Sequence, residues 1–376
     1  MNTIPLEEVL NNKFSLRRFL TDKKYHTSLD SIPKDKITVE SEPDLFEQIF
    51  RTAKEILENP DSILIDDVSK ESRVSDWKSL IEKEVIVDGE IIPIDTRSRP
   101  GHKILDHYMR NIWDVKNFKG VSVRNSITQG NLEAALLLNV RSHSTPYKSE
   151  IRRMLVMLNS LSNVTKYRAL TTKGIVQYFG AKRILDPCIG WGGRMLGTLA
   201  AGDDTLYAGC EPDTNTAANL RKILTEGDLP QTAKSRVILL ELPAEKGIIQ
   251  FKRMEKFDMI LTSPPYFNME IYTSGDQSIQ SYTTWEEWSD KWLKPLILSY
   301  LSCLKSTGVS CWNVKNIYTN LKYPLADFTK KVHTDAGWNL VKTVSMKGSG
   351  RMGAKRIEDE TETRESEEQT FCFRRA

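Results

Sequence analysis

The sequence predicts an α/β protein, with a seven-stranded, mostly parallel sheet over residues 165–376 and an α+β region over residues 1–164. Three observations carry this. From about residue 165, short apolar runs alternate with helical patterns, the signature of a sheet with crossover helices. The first run, ending at Asp186, opens into the glycine-rich turn Gly190-Trp191-Gly192-Gly193. The second run ends in an acid, Glu211, after Gly209-Cys210.

Seven runs are expected as strands: Arg183–Asp186, then residues 205–210, 236–241, 257–261, 308–314, 339–346 and 370–374. The last two flank a charged segment and are expected to pair antiparallel at the sheet edge. Upstream, apolar spacing predicts helices over residues 45–57, 131–140 and 149–161. Between Val85 and Ile92, Asp88-Gly89 separates two apolar runs, which is a two-residue hairpin signal. Residues 358–368, dense in Glu and Thr, read as a mobile loop. Trp285, Trp288 and Trp292 recur at helical spacing, so two of them are expected in the core.

The 376 residues, 39% hydrophobic and 27% charged, have an ordinary globular composition, which excludes collagen-like, disulfide-scaffold and wholly disordered chains. No run approaches the ~18 apolar residues of a membrane span. The start, MNTIPLEEVL, lacks the basic flank and apolar run of a secretory signal. Five scattered cysteines without a CxxC pair suggest neither a disulfide framework nor a thiolate zinc site. The five histidines show no ligand spacing, so no metal is expected, and a cytoplasmic location is.

The net charge of +3 conceals a segregation: residues 1–100 carry −6 and residues 101–200 carry +10. The basic stretch holds Arg110, Lys116, Lys119, Arg124, Arg141, Lys148, Arg152, Arg153, Lys166, Arg168, Lys173, Lys182, Arg183 and Arg194. Such a stretch suits a polyanion, and phosphate contacts are expected from it. A set of solvated helix faces explains it equally well.

The turn after the first strand reads Asp186-Pro187-Cys188-Ile189-Gly190-Trp191-Gly192-Gly193-Arg194. Glycines let the backbone approach a ligand and adopt positive φ. The spacing is not GxGxxG, and Asp186 with Pro187 argues against a pyrophosphate cradle. A carboxylate there suits an ammonium or sulfonium ligand better. Glu211, followed by Pro212, is the expected ribose-diol acceptor. Glu245, in Glu241-Leu242-Pro243-Ala244-Glu245, is a candidate for the adenine amino group, or an ordinary first-turn acid.

Beyond the fourth strand stands Ser263-Pro264-Pro265-Tyr266, where open α/β sheets bind ligands. Together the turn, Glu211 and this loop resemble motifs I, II and IV of the SAM-dependent amino-methyltransferases, SAM being S-adenosyl-L-methionine. Asp-Pro-Cys-x-Gly-Trp-Gly-Gly-Arg, Ser-Pro-Pro-Tyr-Phe-Asn-x-Glu-x-Tyr and the Trp-rich helix look like a group of phage and mobile-element DNA methylases. The likeness covers roughly residues 165–376. It implies a Rossmann-like class I methyltransferase domain, SAM as cofactor, and DNA as partner. Ser-Pro-Pro-Tyr is typical of N4-cytosine enzymes. N6-adenine methylation is the runner-up and RNA base methylation a distant third; a protein-glutamine enzyme would favour Asn at position 263.

The chemistry accounts for the residue types. An aryl amine is a poor nucleophile because its lone pair is conjugated into the ring. Ser263 Oγ and the Pro264 carbonyl would accept the amino hydrogens and aim that lone pair at the methyl donor. Pro264 and Pro265 stiffen the loop, and Tyr266 offers a face for an extruded base. Phe267, Asn268, Glu270, Tyr272, Gln277 and Arg194 are assigned to the substrate. Cofactor contacts are assigned to Asp186, Pro187, Cys188, Gly190, Trp191, Gly192, Glu211, Pro212 and Glu245. Thr172, in the segment resembling motif X, joins them as a helix cap. No large insertion supplies a recognition domain, so recognition is expected from the N-terminal region, the 267–282 loop, residues 348–353 or a partner.

Overall fold

A computed structural model describes residues 43–92, 98–117, 119–141, 147–159, 161, 164–272, 277–318, 322–345 and 368–376. Residues 348–353 and most of the Glu/Thr-rich segment lie outside the described residues. Two compact units emerge. The first takes its described residues from Met1–Asp67, Arg110–Val164 and Glu270–Tyr272. Val68–Met109, Thr165–Met269 and Thr273–Ala376 supply the second.

The second unit is built on seven strands: β1 (Arg183–Asp186), β2 (Leu206–Cys210), β3 (Val237–Leu240), β4 (Phe257–Thr262), β5 (Leu304–Val314), β6 (Trp338–Ser345) and β7 (Gln369–Arg375). Their order is β6-β7-β5-β4-β1-β2-β3. Pairs β1–β2, β1–β4, β2–β3 and β4–β5 are parallel, while β7 runs antiparallel to both β5 and β6. This is a seven-stranded, mostly parallel Rossmann-like sheet, as the apolar runs led one to expect. Ile184, Leu185, Met259, Ile260 and Leu261 are fully buried, which is why these strands read as continuous apolar runs rather than alternations.

Strand order reverses between β1 and β4, because the chain runs outward through β2 and β3 and then returns to the other side of β1. The crevice beyond their carboxyl ends is the switch point at which such sheets bind ligands. Strand β5 begins at Leu304, four residues earlier than the apolar pattern indicated, and its pairing with β4 shifts register between Phe257 and Met259. The β6–β7 hairpin pairs antiparallel at the edge, with a register shift between Leu340 and Lys342.

Helices α1 (Lys70–Glu82) and α2 (His102–Tyr108) also belong to this unit, although they precede the sheet by a hundred residues. They are tied on by buried charges. Arg73 Nε donates to Asp228 Oδ2 at 2.7 Å, and Tyr108 Oη donates to the same oxygen at 2.7 Å. Lys173, on helix α3 (Ala169–Phe179), donates its ammonium to the Leu80, Ile81 and Lys83 carbonyls, neutralising the C-terminal end of α1. The expected hairpin pairs Ile86–Val87 with Glu90–Ile91, and Asp88 (φ 51°) and Gly89 (φ 77°) both take the left-handed conformation that a type I′ turn requires.

Helix α4 (Gly193–Ala201) follows the glycine-rich turn and packs against α3 at very close range. A Cβ on Gly193 would lie 1.9 Å from the Tyr167 carbonyl oxygen, and one on Gly197 would lie 2.2 Å from that of Ala169. Glycine is required at both positions by contact between backbones.

The first unit is helical among its described residues: Pro43–Glu58, Asp61–Leu64, Gln129–Arg141 and Lys148–Leu158. Leu45, Ile49, Ile56, Leu132, Leu136, Ile151 and Leu155 form its core. Ile271 joins it through a bridge with Lys116, whose N–H donates to the Ile271 carbonyl at 3.0 Å. Among the described residues no helix is long and apolar enough to cross a membrane, and no group of three His, Cys, Asp or Glu could hold a metal ion.

Candidate active site at the ends of the parallel strands

Asp186 closes β1 with its side chain fully out of solvent. Its Oδ2 accepts from Arg194 Nε at 2.7 Å and from Tyr207 Oη at 2.5 Å. Oδ1 accepts from Thr262 Oγ1 at 2.7 Å and from the Cys188 N–H at 3.1 Å. Arg194 is 4% exposed; it also donates to the carbonyls of Cys188 and Ile189 and sits over the Tyr167 ring at 5.3 Å. Burial works against its charge, but the Asp186 carboxylate holds the guanidinium above its ordinary pKa. A buried carboxylate and guanidinium are tolerable together only because nearly every lone pair and proton finds a partner.

Two glycines shape the turn, Gly190 at φ 59° and Gly192 at φ 82°. Glu211, 7% exposed at the end of β2, accepts from the Gly190 N–H and the Asp213 N–H, each at 2.9 Å. Burial pushes its carboxyl up to about 8, while those two amides favour the ionised form. Two donors leave carboxylate lone pairs unused, so Glu211 fits a ribose diol. Asp213 caps the next helix, Thr214–Thr225, by accepting from the Thr216 N–H at 2.8 Å. Pro212 between them is exposed.

At the end of β4, Thr262 joins the two halves of the site. Its hydroxyl donates to Asp186 and accepts from the Cys188 N–H at 3.3 Å. Ser263 therefore begins immediately after a residue bonded to the glycine-rich turn's own carboxylate. Beyond the prolines, Tyr266 Oη donates to Glu368 Oε1 at 2.6 Å, and the Lys315 ammonium stands 5.7 Å from its ring centroid. Phe267 has φ 52°, unusual for a residue with a Cβ, and is 2% exposed. Its ring packs against Trp285, Trp288 and Tyr323 at 5.0–6.0 Å. Burial of that ring offsets the strained backbone, whose cost is about 1–3 kcal/mol.

With this geometry in view, similarity to known proteins can be stated. No protein-family model and no curated protein matches the chain. Solved structures do. A putative caffeoyl-CoA O-methyltransferase from Staphylococcus aureus matches at 12% identity and TM-score 0.37, over 65% of this chain and 99% of that one. An O-methyltransferase from Bacillus cereus in complex with SAH matches at 12% identity and TM-score 0.37, over 59% and 88%. The magnesium protoporphyrin IX methyltransferase from Synechocystis with bound SAM matches at 12% identity and TM-score 0.35, over 55% and 79%. At such identity a likeness concerns the fold and does not extend to substrate.

Several expected site residues occupy different positions from those the sequence suggested. Arg194, assigned to the substrate, is instead the buried clamp of Asp186. Phe267, also assigned there, is an aromatic core residue. Thr172 lies inside α3, fully buried where a Cβ on Gly197 would strike it at 2.4 Å, so it caps nothing; Arg168 is the N-cap. Pro187, Trp191 and Gly192 are buried in the turn, whereas Cys188 and Gly190 are half-buried. Glu245 stands exposed in the first turn of helix Ala244–Phe251 and accepts from Trp292 Nε1 at 3.2 Å. Ser263, Pro265, Tyr266 and Asn268 are half-buried, and Pro264 is buried. Glu270 and Tyr272 belong to the first unit, where the Tyr272 hydroxyl donates to Glu270. Gln277 precedes the short helix Ser278–Ser281. Of Trp285, Trp288 and Trp292, two of which were expected in the core, Trp288 and Trp292 are buried and Trp285 is half-buried; Ser289–Leu293, which includes Trp292, form a π-helical turn.

The basic stretch is largely spent on internal partners. Arg124 pairs with Asp61 and Asp114, Arg152 with Asp66, Arg153 with Glu150, Lys166 with Asp106, Lys182 with Asp204 and Arg183 with Glu255. Lys173 and Arg194 are consumed as described above. Sequence inspection missed Asn313, Lys315 and Glu368 altogether. No spacing signal marks them, because they reach Tyr266 from β5 and β7 only through the sheet order.

Proposed function

We propose that the chain is a SAM-dependent methyltransferase acting on the exocyclic amino nitrogen of an extruded base in DNA, with N4 of cytosine as the target. One observation carries this reading: the 2.7 Å bond from Thr262 to Asp186, which fixes the Ser263-Pro264-Pro265-Tyr266 loop beside the turn that Glu211 closes. That bond supports a reading in which a methyl-donor site and an amine-acceptor loop lie side by side at the switch point.

Glu211 is the residue to hold the ribose of SAM, with Gly190 and Pro212 beside it. Asp186 has no lone pair to spare for an ammonium group and acts by ordering the turn. The chemistry supplied by bound SAM is an electrophilic methyl group on a sulfonium centre. Ser263 Oγ and the Pro264 carbonyl accept the two amino hydrogens, turning the nitrogen lone pair out of conjugation. The proline rings hold that carbonyl at a fixed angle, a positioning effect. The Tyr266 ring stacks the base, worth ~1–3 kcal/mol. Intrachain pairing of so many cations argues that phosphate contacts come from few residues, so the salt dependence of binding should be shallow.

The test is to incubate the protein with DNA and RNA in the presence of labelled SAM, then digest to nucleosides for mass spectrometry. The expected product is 4-methylcytosine in DNA. 6-Methyladenine would move the target to N6 of adenine, and label confined to RNA or protein would overturn the DNA assignment.

A further inference from the structure

The loop that carries Tyr266 is held from a side that the motifs do not mention. Glu368, the residue before β7, places one carboxylate oxygen, Oε1, between two donors: Tyr266 Oη at 2.6 Å and Asn313 Nδ2 at 2.6 Å. A carboxylate can only accept, so the Asn313 amide must turn its nitrogen to Glu368 and its oxygen to Thr370. Thr370 Oγ1 does donate to Asn313 Oδ1, at 3.1 Å, and lies 3.0 Å from Tyr167 Oη. Asn313 and Thr370 face each other directly across the β5–β7 pair.

The chain of contacts then continues. Arg194 lies over the Tyr167 ring and binds Asp186, which binds Thr262. Starting at Thr262 and ending at Tyr266, the path passes through β1, helix α4, the segment before α3, β7 and β5. Both ends of the Ser-Pro-Pro-Tyr loop are thereby fixed to one polar network, whose inner members Asn313 and Thr370 are fully buried. Left to itself, a tyrosine ring following two prolines would turn about its own side-chain torsions. Its hydroxyl bond to Glu368 fixes where the ring points and, because a phenolic O–H lies in the plane of its ring, favours one ring plane in which a base would stack.

We infer that Glu368, backed by Asn313, is a positioning residue that orients the Tyr266 ring for the acceptor base. This rests on the proposed amino-methyltransferase reading and adds to it a residue that no motif supplies.

The experiment compares Glu368→Ala, Glu368→Gln, Tyr266→Phe and the Glu368→Ala/Tyr266→Phe double variant of the full chain. Two readouts are taken: steady-state methyl transfer to DNA, and the [13Cζ]tyrosine resonances, with Tyr266 assigned by its loss in Tyr266→Phe. Glu368→Ala should lower kcat on the order of 10–100-fold with KM for SAM nearly unchanged, and Glu368→Gln, which keeps an acceptor, should recover most of it. The double variant should be no worse than Tyr266→Phe alone, because both act through one bond. Removing the carboxylate in Glu368→Ala should also displace the Tyr266 13Cζ resonance, because its hydroxyl loses its 2.6 Å acceptor. Additive losses, or a Gln variant as poor as Ala, would overturn the inference. Should the wild type methylate no nucleic acid, the proposed function fails. The resonance then decides this inference separately: an unmoved Tyr266 resonance in Glu368→Ala refutes it, and a displaced one upholds the Glu368–Tyr266 contact.

Discussion

The ends of β1 and β4 lie side by side in the sheet, yet they are made rigid by opposite means. At the end of β1, order comes from buried charge: Asp186 takes donors from Arg194, Tyr207, Thr262 and Cys188 and keeps nothing for a ligand. At the end of β4, order comes mainly from proline rings and apolar packing: Pro264, Pro265 and the buried Phe267 ring fix the loop, with the Tyr266 hydroxyl bonded to Glu368. Proline has no N–H to satisfy, so the loop can be stiff without spending Ser263 Oγ or the Pro264 carbonyl. The difference separates two roles that a motif comparison merges. An acid in the glycine-rich turn can be a hub that shapes the site, while the groups proposed to accept the amino hydrogens are held by others.

The largest test of that contrast is Asp186→Ala. Removing the carboxylate strands Arg194 in the interior and should cost about 3–5 kcal/mol of unfolding free energy, measured by denaturant titration. A stable variant that merely lost SAM affinity would make Asp186 a ligand and end the distinction. Phe267→Ala should cost about 3 kcal/mol for the lost ring, with the positive φ still to be carried by alanine. If stability held and only activity fell, the β4 loop would be anchored elsewhere.

Ser263→Ala sharpens the contrast from the other side. We expect methyl transfer to fall on the order of 100-fold, about 2.7 kcal/mol of barrier, with thermal unfolding shifted little. A large loss of stability would give Ser263 a structural role like that of Asp186.

A separate test concerns Glu211, whose folded pKa of about 8 lies above the ordinary carboxylate value of 4.5. Between those values the folded state binds more protons than the unfolded one. Glu211 therefore contributes stability that is fully present below about 4.5 and is lost as pH rises through about 8. Ligand hydroxyls donating to the ionised carboxylate reverse the preference, so SAM binding should release a proton. Affinity measured by calorimetry should rise with pH by up to about tenfold per unit below 8 and then level off, and Glu211→Gln should flatten that dependence.

Legibility in the sequence followed physical range. Strand positions were readable because a parallel strand buried on both faces must be apolar throughout, as Ile184-Leu185 and Met259-Ile260-Leu261 are. The Asp88-Gly89 hairpin was readable because two successive positive φ angles leave few residue choices. Helical spacing placed two of Trp285, Trp288 and Trp292 in the core, and burial shows the two to be Trp288 and Trp292. Arg194 was misjudged because charge in a sequence carries no sign of burial, and the identity of its partner is a matter of fold. The basic stretch misled in the same way. Asp61 and Asp66, from the acidic first hundred residues, neutralise Arg124 and Arg152, so opposite charges far apart in the chain are neighbours in space.

What the sequence determined by itself was local: the strands, the glycines of the turn, the stiff Ser-Pro-Pro-Tyr loop and the acid that ends β2. Each follows from a backbone or side-chain preference that acts within a few residues. The tertiary structure alone decided which groups those elements meet. Sheet order set Thr262 against Asp186 and brought Glu368, a hundred residues later, to the Tyr266 hydroxyl. Hydrogen bonds between strands are indifferent to separation along the chain, so no spacing rule could have announced them.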